Sequence, residues 1–160
     1  MLVVLFGLAG SGKNYIGEML GNNYGFTYWD ADAMLTPAMQ SAIDQNQEFT
    51  QDMRDEFTTE VIAQIKKLHN ENSNLIVSQA LYKEKNRQEI LTAFPKAKLI
   101  WIKTSPEKIA EHLQMRNSKV TKDYAQLISK HFEEPPATYG IIKNTTYNEI
   151  ISQWDKLFQQ

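Results

Sequence analysis

Apolar residues in this chain follow two patterns. Short apolar runs stand at Leu2-Val3-Val4-Leu5-Phe6, Phe26-Thr27-Tyr28-Trp29, Leu75-Ile76-Val77, Lys98 to Ile102 and Tyr139 to Ile142. Runs of this length predict strands, and the unbroken ones suit burial on both faces. Between them, apolar positions recur at three- and four-residue steps. Ile16, Met19 and Leu20 predict a helix over 12–20, broken by Gly21-Asn22-Asn23 and Gly25. Met53, Phe57, Val61, Ile65 and Leu68 predict a long amphipathic helix from Thr50 to Leu68. Shorter helices are predicted over 37–46, Lys83 to Phe94 (closed by Pro95), Pro106 to Arg116, Asp123 to Phe132 and Thr146 to Phe158. Residues 117–122 are polar and interrupt the periodicity. Strands alternating with helices predict an α/β domain: a five-stranded parallel sheet with helices on both faces. Ligands in such folds bind beyond the carboxyl ends of the strands.

One stretch gives that edge a chemistry. Gly7-Leu8-Ala9-Gly10-Ser11-Gly12-Lys13-Asn14 follows the first strand and opens the first helix. Strand, glycine-rich turn, Lys and helix form the context of a phosphate-binding P-loop. Its backbone N–H groups and the helix N-terminus attract a polyphosphate. Lys13 reaches the β- and γ-phosphates. The motif normally ends in Ser or Thr, whose hydroxyl ligates Mg²⁺; here it ends in Asn14. An amide oxygen is neutral and further from the backbone, so Asn14 is expected to contact Mg²⁺ poorly or through water, leaving more to Asp30.

Bulk properties narrow the setting. The 160 residues suit one domain, 1–160. A net charge of −2 gives no support for a nucleic-acid surface. With no cysteine, thiol catalysis and cysteine-bound zinc are excluded. No run approaches the ~20 apolar residues of a membrane span. A cytoplasmic enzyme is the expected placement; monomer or homodimer is left open.

Further candidates lie just past strand ends. Asp30 and Asp32 would share a face if extended. One could hold Mg²⁺ and the other accept a proton from a hydroxyl, or either could cap the following turn. Arg54, Lys83, Arg87 and Arg116 are candidate anion contacts. Arg116 precedes the polar break, which reads as a lid over 116–123. Asn144 follows the last strand, where small phosphotransferases seat adenine.

In this order the pieces resemble the gluconate kinase family, relatives of shikimate kinase. Asp30-Ala31-Asp32 matches its Asp-Gly-Asp turn, and Phe49, Thr50 and Arg54 its Leu-Thr-x-x-x-Arg segment. Gln79-Ala80-Leu81 with Lys83 and Arg87 resembles its Ser-Ala-Leu-Lys segment and downstream Arg. Lys103 to Ile109 and Phe132 to Pro135 match two further segments. The resemblance implies the three-layer P-loop kinase fold, ATP and Mg²⁺ as cofactors, and transfer to a hydroxyl of a small-molecule acceptor. It implies catalytic roles for Lys13, Asp32 and Arg116. ATP contacts would come from residues 7–14, Arg116 and Asn144, and acceptor contacts from Asp32, Arg54, Lys83, Arg87 and the segment at about 33–60. The family's polar sugar-acid contacts fall on Leu35, Met39 and Ala42, and its first lid Arg on His112. Gluconate is therefore an expected poor fit, and a nucleotide-binding module with lost phosphotransfer is the alternative.

Overall fold

A computed structural model describes residues 1–115 and 120–159. Its five strands are β1 (Leu2–Phe6), β2 (Thr27–Asp30), β3 (Leu75–Ser78), β4 (Lys98–Lys103) and β5 (Gly140–Lys143). The helices of the described residues are α1 (Lys13–Tyr24), α2 (Pro37–Asp44), α3 (Gln51–Glu71), α4 (Glu84–Ala93), α5 (Pro106–Met115), α6 (Lys122–Ser129) and α7 (Tyr147–Phe158). The strands form one sheet, all pairs parallel, in the order β2-β3-β1-β4-β5. From β1 the chain passes to the edge strand β2, returns inward to β3 beside β1, and then crosses to β4 and β5 on the other side. The carboxyl end of β1 is thus the switch point where such sheets bind ligands.

Alternation along β1 divides the core. Leu2, Val4 and Phe6 face one side with Leu75, Val77 and Leu99, covered by Phe57, Val61 and Ile65 of α3. Val3 and Leu5 face the other with Ile76, Ile100 and Ile142, covered by Ile16 and Leu20 of α1 and Trp154 of α7. Each such fully buried side chain contributes about 1.5–3 kcal/mol of transfer free energy. A smaller cluster of Ile43, Tyr82, Tyr124 and Ile128 joins α2 to α6.

Two local expectations change. Helix α1 does not break at Gly21-Asn22-Asn23 but runs to Tyr24. Gly21 lies close against the following strand: a Cβ there would be 3.0 Å from Phe26 O. The stop is Gly25, left-handed at φ 71°, whose N–H pairs with Gly21 O. Nor is Asp30-Ala31-Asp32 extended. The strand ends at Asp30, and Ala31–Met34 is a single 3₁₀ turn. The two carboxylates therefore do not share a strand face.

Candidate active site

The loop after β1 is shaped by glycines and pinned from outside. Gly12 has φ 90°, and a Cβ on it would lie 2.4 Å from Asn144 Nδ2. Ser11 N–H closes a turn on Leu8 O at 3.0 Å. Ser11 O accepts from Thr104 Oγ1 (2.6 Å) and Asn144 Nδ2 (3.0 Å), and Gly10 O accepts from His112 Nδ1–H (2.7 Å). Lys108 Nζ donates to Asn144 O. Asn144, expected near adenine, has its side chain on the loop backbone together with Thr104, and Lys108 and His112 complete the contacts. Lys13 Nζ is buried against Gly7 O and Leu8 O, 3.1 Å from each. Gly12 supplies no side-chain cap to α1, so the first-turn N–H groups of this helix suit an anion. The loop, its lysine and that helix end fit the polyphosphate of ATP.

Magnesium fits less well. Asn14 Nδ2 donates to Asp30 Oδ2 at 2.7 Å, and Ser78 Oγ donates to Asn14 Oδ1 at 3.0 Å. The Ser78 and Tyr28 hydroxyls are 2.7 Å apart. Ser78 has one hydrogen and gives it to Asn14, so Tyr28 is the donor of that bond. Asp30 Oδ1 accepts from Asp32 N at 3.0 Å, capping the 3₁₀ turn. Both polar atoms of Asn14 and both oxygens of Asp30 therefore already make a hydrogen bond inside the protein. This arrangement favours contact with Mg²⁺ through water over direct ligation by Asn14. Among the described residues, no group of three or more His, Asp or Glu could hold a metal.

Asp32 opens onto a cavity of about 130 Å³ that Lys13 and Ala9 of the loop also line. Asp32 Oδ1 accepts from Ala80 N at 3.3 Å. Burial pushes its carboxyl up to about 6; Lys13 opposes that shift and Asp30 adds to it. Leu35 and Met39 line the cavity, while Ala42 does not and is buried in the core. Arg54 lines it too. Its guanidinium sits 5.5 Å from the Phe49 and Tyr82 rings, and Nη2 is buried without a partner among the described residues. Burial pulls the Arg54 pKa down. Leaving such a group unmet costs about 1–3 kcal/mol or more for a cation, which an anionic ligand would relieve. Tyr82 joins the two sites: its ring lines the cavity and its hydroxyl accepts Ala9 N–H at 3.0 Å.

Lys83 and Arg87 are not brought to this cavity. Lys83 precedes α4 and pairs with Glu133 at 3.5 Å. Arg87 is fully buried over the Phe6 and Phe132 rings. It donates to Leu81 O (2.9 Å), Tyr82 O (3.1 Å), Glu133 O (2.8 Å) and Glu84 Oε2 (3.1 Å). Four of its five N–H donors are used in this way and the side chain is fully buried away from the cavity, so its expected acceptor contact is replaced by a clamp on the 79–83 loop. Arg116 lies outside the described residues. Of the expected lid segment, Val120 lines the cavity and Thr121 caps α6, which adds Tyr124 and Ile128 to its wall.

Known proteins share this architecture. The chain is similar to a gluconokinase from Sinorhizobium meliloti 1021, with 18% identity over 98% of this chain and 93% of that one, TM-score 0.80. It is similar to a sugar kinase from Janibacter sp. HTCC2649, with 16% identity over 99% and 94%, TM-score 0.84. A deoxyadenosine kinase from M. mycoides matches at 16% identity over 98% and 99%, TM-score 0.65. At these identities the likeness establishes the P-loop kinase fold. No curated protein sequence matches the chain. The family model for shikimate kinase matches residues 9–159. Since that match runs from within the phosphate loop to the end of α7, the chain belongs to the shikimate kinase family: it is an ATP-dependent small-molecule kinase.

Proposed function

We propose that the chain transfers the γ-phosphoryl group of ATP to a hydroxyl of a small acceptor held in the cavity beside the loop. The observation that carries this reading is the meeting of Asp32, Lys13 and Ala9 on one cavity wall. ATP supplies the phosphoryl group and leaves as ADP. The loop N–H groups and α1 hold the phosphates, and Lys13 offsets charge on the group in transfer. Asp32 orients the acceptor hydroxyl and takes its proton. Arg54 anchors an anionic group of the acceptor. Arg116 is assigned a second charge on the transferring group. Asn14 is held to Asp30 and Ser78 and takes no direct part in the transfer.

Leu35 and Met39 disfavour a polyol, whose hydroxyls would lose water without gaining partners. Gluconate should therefore be a poor acceptor. Efficiency with gluconate above ~10⁴ M⁻¹s⁻¹ would reject that expectation. The Asn14 network also supports a second reading, a nucleotide-binding module with impaired transfer. ADP release from ATP against a panel of hydroxylated metabolites separates the two. Acceptor-dependent release supports the kinase reading; ATP binding with no acceptor response supports the module.

A further inference from the structure

Gln79 has no part in the chemistry above. Leu75 and Val77 of β3 face the core beneath α3, and by alternation Gln79 continues that face. Its N–H still pairs with Leu5 O at 3.0 Å, so strand geometry extends to it, and its side chain lines the cavity. An apolar residue would suit that face. Instead a carboxamide stands there, 2% exposed, with Oε1 buried and unpaired. Its amide nitrogen makes no hydrogen bond among the described residues but, unlike Oε1, is not sealed off. A carboxamide offers a donor and an acceptor side by side. A hydroxyl meets one of them at a time; another amide edge meets both. Phe49, Phe57, Tyr82 and Tyr124 line the same space, which suits a flat body.

We propose that Gln79 sets acceptor specificity by pairing with an amide edge, a lactam or carboxamide, on a flat molecule that also carries the acceptor hydroxyl and the anionic group held by Arg54. This rests on the cavity being the acceptor site. Gln79 binds and orients; no bond forms or breaks at it.

Two measurements test the assignment. In the unliganded protein, Gln79→Leu removes an unmet amide and should raise the melting temperature by about 2 °C or more. A fall would mean that Gln79 has a partner within the fold, and would overturn the proposal. The second measurement uses ADP release and calorimetric binding with five probes. Orotidine and uridine carry an amide edge, orotidine together with a carboxylate for Arg54; 4-(hydroxymethyl)benzoate, shikimate and gluconate carry the carboxylate without that edge. Among the carboxylates, orotidine should be preferred. Gln79→Leu should raise the KM of the amide-edged alcohols on the order of 10²-fold and leave ATP affinity unchanged. Preference for an amide-free alcohol over orotidine, or an equal change for every probe, overturns the Gln79 assignment while the kinase reading stands. If ATP binds but no probe releases ADP, phosphotransfer to these alcohols fails and calorimetry alone decides Gln79. Amide-edged binding lost in Gln79→Leu then upholds it, and no binding overturns it.

Discussion

Asp32 is where protonation and turnover meet. Its carboxyl rises from the ordinary value near 3.8 to about 6. A base must be ionised, so kcat/KM should climb with pH through about 6 and then level off. The stability effect has the opposite sense. A raised carboxylate pKa means the folded state binds more protons than the unfolded one between about 4 and 6. Asp32 therefore lowers stability progressively across that window and by a constant amount above it. Asp32→Asn should cut turnover by about 10²–10⁴-fold with ATP affinity nearly intact. Its melting temperature relative to the parent should rise between pH 4 and 6 and stay flat above. Wild-type turnover would reduce Asp32 to a turn residue. Asn14 bears on the metal dependence of ATP binding. With both its polar atoms occupied, Mg²⁺ should add little to ATP affinity, and Asn14→Ser should enlarge that increment. Titrations of both proteins with ATP, with and without Mg²⁺, are the check; equal increments would make Asn14 an adequate ligand. Lys13 and Asp32 were singled out from residue type and place in the chain, and Arg54 with the help of the family resemblance; the structure puts all three on the cavity. Gln79 was not, because an unpaired amide is visible only once its surroundings are known.

At the scale of elements, the loop between β3 and α4 decides the cavity wall. It supplies Gln79, Ala80, Leu81 and Tyr82. Leu81 holds φ 45°, a left-handed conformation that costs a side-chain-bearing residue about 1–3 kcal/mol. Arg87, one turn into α4, offsets this by bonding Leu81 O and Tyr82 O together with Glu133 O. Arg87→Ala would empty a fully buried space and remove the donors to Leu81 O, Tyr82 O and Glu133 O, of which Tyr82 O keeps the Glu133 N–H, and should lower stability by roughly 3 kcal/mol or more, about 6–12 °C in Tm. ATP affinity should change far less than Tm. A variant with unchanged Tm that no longer binds acceptor would restore Arg87 as a ligand contact. A signal for its structural role was present: Arg87 stands three residues before Ile90, on the buried face of its helix. Helix existence was legible throughout, but ends were less so. Gly21 inside α1 reads as a break in isolation, whereas close packing on Phe26 and Tyr28 makes its missing side chain an advantage.

The whole molecule places its sites by strand order, and that order was not in the sequence. Alternating strands and helices specified a parallel sheet, yet nothing local says that β1 sits between β3 and β4. The cavity likewise draws on residues from Ala9 to Ile128. The central position of β1 has a consequence for how the chain acquires its shape. Leu2 lies beside Leu75 and Val3 beside Lys98, so β1 has no partner until both distant segments are available. During synthesis or refolding, Leu-Val-Val-Leu-Phe remains an uncharged, strand-prone segment open to other chains. Pairings of such long sequence separation are closed late. Pulse-labelled hydrogen exchange should therefore show the amides of Val3 to Phe6 gaining protection together with those of β3 and β4, after the amides of α3. Early protection of β1 alone would refute this order. Refolding yield should fall as protein concentration rises, because an unpaired β1 can be captured by a second chain before its own sheet closes.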